Sequence, residues 1–214
     1  MRRLPVYMLL DTSGSIQGEP IEAVKVGLQN LISVLRQDPF ALESVHISLI
    51  TFDRDVKNIL PMTDLQSLQL PDIVTPESGP THLGAALEML CDCYDREVIK
   101  TSEFQKGDWM PLLFIMTDGS PSDIQKYRDI IPVVKKKKFA NIIACAAGPK
   151  AKDSYLKELT DAVVHLDSMD RHTFSQFFKW VSDAVSSGNK SMGTTVQDTS
   201  SMLPPPPPEV HVVI

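Results

Sequence analysis

Apolar residues fall into short unbroken runs, separated by longer stretches that carry a single apolar face. The runs are Pro5 to Leu10, Val45 to Phe52, Pro111 to Met116 and Asn141 to Ala147, each flanked by polar residues. Continuous apolarity over such lengths predicts strands covered on both faces, as in a parallel sheet. Val163 to Leu166 is a shorter run of the same kind. Val56 to Leu60 follows Val45–Phe52 after Asp53-Arg54-Asp55, which suits an antiparallel hairpin, and its mixed polarity and Pro61 predict a sheet edge.

Between the runs the period lengthens to that of a helix. Ile21, Val24, Leu28, Leu31, Ile32 and Leu35 recur at steps of three and four and form one stripe. Pro20 stands where a first helical residue would, and Glu19 suits the positive end of the helix. Leu83 to Ile99, Ser122 to Lys137, Lys152 to Leu159 and Arg171 to Val185 predict further helices. The alternation implies an α/β domain with an open, doubly wound sheet of about six strands, mostly parallel with one antiparallel edge strand, and helices on both faces. Past Ser187 the composition shifts to Ser, Thr, Gly and Pro, with a run from Pro204 to Pro208. Residues 1–187 are therefore read as the domain and 188–214 as a flexible tail with a polyproline II segment. The β-prone end of that tail, Val210 to Ile214, carries the alternative that it adds a strand to a sheet edge, its own or a neighbour's.

Composition narrows the function. The 214 residues are 43 % hydrophobic and 22 % charged, the balance of an ordinary globular protein. A formal net charge of −6 argues against a nucleic-acid-binding or polybasic membrane protein. Three cysteines are too few for a disulfide framework; Cys91 and Cys93 would diverge on a helix, and Cys145 lies in an apolar run. Met1-Arg2-Arg3 before Leu4 to Leu10 has the outline of a leader, but Asp11 cuts the apolar run and no small-residue cleavage site follows. That segment is read as the first strand and the protein as cytoplasmic. No run approaches the roughly 18 apolar residues of a membrane span.

The chemistry gathers at strand ends. Asp11-Thr12-Ser13-Gly14-Ser15 follows the first strand, and in an extended segment Asp11, Ser13 and Ser15 would point the same way. One carboxylate and two hydroxyls form a hard, all-oxygen set suited to magnesium or manganese. Asp118, in Thr117-Asp118-Gly119, ends another strand, and Thr81 precedes a helix. Open α/β sheets bind ligands beyond the carboxyl ends of their strands, so these three loops would meet over one point. Taken singly, Thr81 reads as a helix cap and Thr117-Asp118-Gly119 as a turn.

Asp11-x-Ser13-x-Ser15, Thr81 and Thr117-Asp118-Gly119 together resemble the metal-ion-dependent adhesion site, or MIDAS, of von Willebrand factor A (vWA) domains, with all five coordinating positions matched. The stretches Arg2-Arg3-Leu4-Pro5-Val6 and Gly18-Glu19-Pro20-Ile21-Glu22-Ala23-Val24 further resemble the bacterial TerY-like proteins associated with tellurium resistance. The resemblance implies a Rossmann-like vWA fold over about residues 4–187. It implies Mg²⁺ (or Mn²⁺) held by the hydroxyls of Ser13, Ser15 and Thr81, with Asp11 and Asp118 acting directly or through water. A Glu or Asp of another protein would complete the coordination. It also implies a bacterial stress-response or phosphorylation-linked assembly, with a Ser/Thr protein kinase and a PP2C-type phosphatase as associates.

Binding without turnover is thus expected. The alternative is a metal-dependent phosphoryl-transfer enzyme, or a receiver-like phosphoacceptor, using the same carboxylates. An aspartate-nucleophile phosphatase would want Asp where Ser13 stands, and the sequence has neither a Gly-x-x-x-x-Gly-Lys-Ser/Thr loop nor Gly-x-Gly-x-x-Gly. The five histidines are scattered, and His82, nearest the site, reads as a capping or solvent residue.

Overall fold

The computed structural model describes residues 2–76, 79–191 and 203–213. In chain order the elements are β1 (Leu4–Asp11), α1 (Glu19–Gln37), α2 (Pro39–Ser44), β2 (Val45–Phe52), β3 (Val56–Asp64), α3 (Leu83–Glu97) and β4 (Leu112–Thr117). They continue with α4 (Ile124–Lys136), β5 (Asn141–Ala147), α5 (Asp153–Leu159), β6 (Val163–Leu166), α6 (Arg171–Ser191) and β7 (His211–Val212). The seven strands form one sheet in the order β3-β2-β1-β4-β5-β6-β7. Pairing is parallel from β2 through β1, β4 and β5 to β6, and antiparallel at both edges, β2–β3 and β6–β7.

Strand β1 shows why the pattern reads as it does. Leu4, Val6, Met8 and Leu10 enter the core layer that also holds the buried residues of α1 and α6. Tyr7 and Leu9 enter the opposite layer, with those of α3, α4 and α5. Alternate side chains face two apolar layers, so no polar position remains along the strand. Helices approach closely where glycine permits it: a Cβ at Gly27 of α1 would collide with the ring of Phe178 on α6. At Gly84 of α3 it would lie 2.5 Å from the backbone nitrogen of Tyr127 on α4.

Two features depart from the sequence reading. Helix α2 is absent from it, because six residues directly behind α1 show no period of their own; Asp38 starts this helix by accepting from the N–H groups of Phe40 and Ala41 at 2.9 and 3.4 Å. The second departure is the tail. Residues 192–202 and Ile214 lie outside the described residues, but 203–213 rest on the domain rather than extending into solvent. Trp180 Nε1 donates to the Pro204 carbonyl at 2.8 Å, and Val210 is buried. His211 and Val212 pair with His165 and Val164, and the Val213 N–H donates to the Val163 carbonyl at 2.9 Å. Apolar contact and ladder bonds at an open edge outweigh the composition that predicts disorder. The sheet therefore has seven strands and two antiparallel edges, against the six and one expected.

Candidate metal centre

Strand β1 has β2 on one side and β4 on the other, so the chain order reverses across the β1–β4 boundary. Crevices at such a boundary lie beyond the carboxyl ends of the strands. Asp11 is the last residue of β1, and Asp118 follows Thr117, the last residue of β4. Their positions over the crevice follow from the topology.

Asp11 is fully buried. Its Oδ1 accepts from the Ser13 N–H at 2.8 Å, and its Oδ2 accepts from Thr117 Oγ1 at 2.6 Å. Ser13 Oγ lies 3.1 Å from Ser15 Oγ, and the nearby Ser15 hydroxyl holds the Asp118 carboxyl down against the rise that burial causes. The serines converge for a reason other than an extended strand. Gly14–Ile16 form one 3-10 turn, closed by the Gln17 N–H on the Gly14 carbonyl at 3.2 Å, and Ile16 plugs that turn into the core at 0 % exposure.

Thr81 arrives from the loop ahead of α3. Its backbone is clipped to Ser122, N–H to Oγ at 2.9 Å and carbonyl to N–H at 2.8 Å. It does not cap α3; Asp123 does, accepting from the N–H groups of Gly84 and Ala85 at 3.0 and 2.8 Å. The Thr81 hydroxyl therefore has no role at the helix end, and it stands 3.5 Å from where a Cβ on Gly119 would be. The Thr81 and Asp118 loops are neighbours. The structure thus brings Asp11, Ser13, Ser15, Thr81 and Asp118 to one crevice.

Sequence reasoning missed the supports. Thr12 Oγ1 donates to Asp53 Oδ2 at 2.7 Å, and the Asp53 carbonyl accepts from the His82 N–H at 3.0 Å, tying the loop after β1 to the turn between β2 and β3 and to the start of α3. His82 is held as well, its Nδ1 2.9 Å from the Arg54 carbonyl. Asp53, Ser122 and Asp123 sit in ordinary polar breaks, and no local pattern distinguishes them from other turn residues.

The electrostatics favour a cation. Burial pushes the Asp11 carboxyl up to about 6, the bonds from Thr117 and Ser13 pull it back, and the Asp118 charge adds to the rise. Burial likewise raises Asp118, and Asp118 Oδ1 is buried with no hydrogen-bond partner. Among the described residues no Lys, Arg or His pairs with either carboxylate. Nor does any group of three or more His, Cys, Asp and Glu side chains converge there to hold an ion. The donors at the crevice are two carboxylates and three hydroxyls, a hard oxygen set that fits a divalent cation and that an unpartnered carboxylate oxygen leaves incomplete.

Residues 6–179 match the von Willebrand factor type A domain, and the chain belongs to that family. No curated protein matches the sequence. Among solved structures, proximal thread matrix protein 1 from the mussel byssus superposes with a TM-score of 0.66 at 18 % identity, over 85 % of this chain and 48 % of that one. BatB from Bacteroides thetaiotaomicron gives 0.59 at 16 % identity over 88 % and 100 % of the two chains. A von Willebrand factor type A protein from Catenulispora acidiphila gives 0.63 at 12 %, over 87 % and 43 %. The chain spans about half the length of the mussel protein, for which a form with a zinc-occupied MIDAS motif is also known. At these identities the likeness is one of fold. No helix among the described residues is long and apolar enough to cross a membrane.

Proposed function

We propose that the protein is a non-catalytic module that binds a partner protein through a divalent cation, Mg²⁺ or Mn²⁺, held by Asp11, Ser13, Ser15, Thr81 and Asp118. The observation that carries this reading is the buried, unpartnered Asp118 Oδ1 beside a second buried carboxylate with no protein cation near either. A cation supplied there by hydroxyls and few carboxylates keeps net positive charge and attracts a Glu or Asp from the partner. The zinc-occupied MIDAS of the mussel protein supports the site, and the all-oxygen donors favour magnesium or manganese over zinc here. The phosphoryl-transfer alternative has less behind it, because each Asp11 oxygen already accepts a hydrogen bond, from Ser13 or Thr117, which lowers its nucleophilicity.

The resemblance of the Arg2–Val6 and Gly18–Val24 stretches to TerY-like proteins supports a cytoplasmic place in a bacterial stress or tellurium-resistance assembly, with a Ser/Thr kinase and a PP2C-type phosphatase as associates. Capture of partners from lysate with the tagged chain, in Mg²⁺ and in EDTA, tests the reading. A set of partners lost in EDTA and lost with Thr81→Ala is expected; partners retained under both conditions refute it.

A further inference from the structure

The pole of the sheet opposite Asp11 carries a second constructed cleft. It has a volume of about 520 Å³ and lies between the carboxyl ends of α3 and α4, under the segment joining α3 to β4. Its floor is apolar, made by Tyr94, Val98, Ile99, Trp109, Met110 and Pro111. Ile99 and Met110 are 37 % and 43 % exposed, and Phe104, on the same segment, is 96 % exposed.

The segment is tied down at many points. The Asp108 N–H donates to the Ile99 carbonyl at 2.8 Å, and the Ile99 N–H donates back to Asp108 Oδ2 at 2.8 Å. Arg3 grips Asp108 through Nε and Nη2 at 2.9 and 2.7 Å. Arg2 donates to the Gly107 and Asp108 carbonyls at 2.7 and 2.9 Å and lies 3.7 Å over the Trp109 ring. The two arginines that look like a leader in the sequence are the clamps of this wall.

Charge at the cleft is unbalanced. Asp108 is neutralised by Arg3, and Asp95 by Lys137 at 2.6 Å. Lys100 on one wall and Lys136 and Lys138 on the other are exposed and enter no ion pair among the described residues. Lysines at a helix end complement its dipole, which explains Lys135 and Lys136, while Lys100 on the other wall shares the charge of Asp95 with Lys137. In a chain of net charge −6, a cleft lined by Lys100, Lys136, Lys137 and Lys138 against Asp95 and an Asp108 already held by Arg3 carries an excess of positive charge and marks an anion-seeking surface.

We propose that this cleft is a second binding site, which takes an acidic segment of a partner protein with an apolar anchor side chain seated on Ile99 and Met110. Charges divided between two walls match carboxylates spread along a peptide better than one compact phosphate. A concave floor receives a side chain, whereas a membrane surface would meet a projecting face.

The test uses the full chain in EDTA, which silences the opposite pole. The probe is a fluorescein-labelled dodecapeptide of Asp and Glu with one central Leu, read by anisotropy. Saturable binding is expected, weakening steadily as salt rises from about 0.05 to about 0.5 M. The variant Lys100→Gln/Lys136→Gln/Lys138→Gln should bind at least about tenfold more weakly while still unfolding in one cooperative transition, with Tm lowered only by the lost attraction of Lys136 to the end of α4. Met110→Asp should abolish the preference for the Leu peptide over one with Ser in its place, and Asp11→Ala should leave binding intact. No saturable binding, equal binding by the triple variant, or sedimentation with phosphatidylserine vesicles without peptide binding would overturn the proposal. Each of those results leaves the metal-dependent reading of the other pole standing.

Discussion

Replacing Asp11 with Asn should reverse sign with metal. In the metal-free protein the carboxyl is carried from its ordinary 3.8 to about 6 by burial, which corresponds to about 3 kcal/mol against the ionised form at neutral pH. Because the folded value is raised, the folded state holds the proton more tightly than the unfolded one. The penalty is absent below about pH 4, grows between about 4 and 6, and is complete above. Asn is neutral and nearly isosteric, and the Thr117 hydroxyl can rotate to accept from its amide. Allowing about 1 kcal/mol for imperfect pairing, Asp11→Asn should be about 2 kcal/mol more stable than wild type in EDTA at pH 7.5. For a chain of this size that is about 4–8 °C in Tm. At pH 4 the penalty is nearly gone and the pairing cost remains, so the variant should be up to about 1 kcal/mol less stable than wild type. With Mg²⁺ at a hundredfold excess over Kd, wild type should gain about 2.7 kcal/mol and the variant nothing, so the order inverts. Melts followed by circular dichroism at both pH values, with and without Mg²⁺, measure all four terms. An Asn variant less stable than wild type in EDTA at pH 7.5, or one that responds equally to Mg²⁺, would refute the argument.

Thr117→Val removes the donor to Asp11 Oδ2 and should cost about 1–3 kcal/mol in EDTA at pH 7.5, with a smaller loss at pH 5 where Asp11 is protonated; a loss independent of pH counts against the charge argument. Gly84→Ala sets a methyl 2.5 Å from the Tyr127 backbone nitrogen, and since backbone cannot yield as a side-chain tip does, a loss of about 1–3 kcal/mol is expected in chemical denaturation, together with a weaker Mg²⁺ response as Thr81 shifts. Deleting residues 203–214 removes the buried Val210 and frees Trp180 Nε1; a loss of about 2 kcal/mol and a red shift of Trp180 emission in a Trp109→Phe background are expected, and unchanged values of both would place the tail off the domain in solution.

The strands were legible because each has apolar layers on both faces: the run Pro5–Leu10 lies within β1, Leu4–Asp11. Asp11, Ser13, Ser15 and Asp118 stood out as candidates because they lie at or just past the ends of those runs, and Thr81 because it precedes a helix. What holds them was not. Asp53 reaches Thr12 across 41 positions and Asp123 reaches Gly84 across 39, and pairings at such separations leave no periodic trace. The turn at Gly14–Ile16 was hidden for the opposite reason, being too short to show a period. For the tail, composition favoured a solvated linker, while the β-prone end Val210–Ile214 offered the added strand that His211 and Val212 form. Composition measures what a segment can bury alone, whereas Val210 is buried in the core layer that also holds Trp180, on a surface built by the rest of the chain.

Strand β6 has four residues, Val163–Leu166, and its outer side is covered by two residues of β7, which Glu209 and Val210 separate from the proline run 204–208. Prolines have no N–H, so that run cannot itself extend a ladder. At the other margin β3 interposes Lys57 and Pro61 and is irregular against β2. Between them these two borders make the sheet a closed surface toward further copies of itself. Such borders oppose stacking of sheets through their backbones, and a truncation that removes β7 would expose the outer side of β6 as a template for another strand.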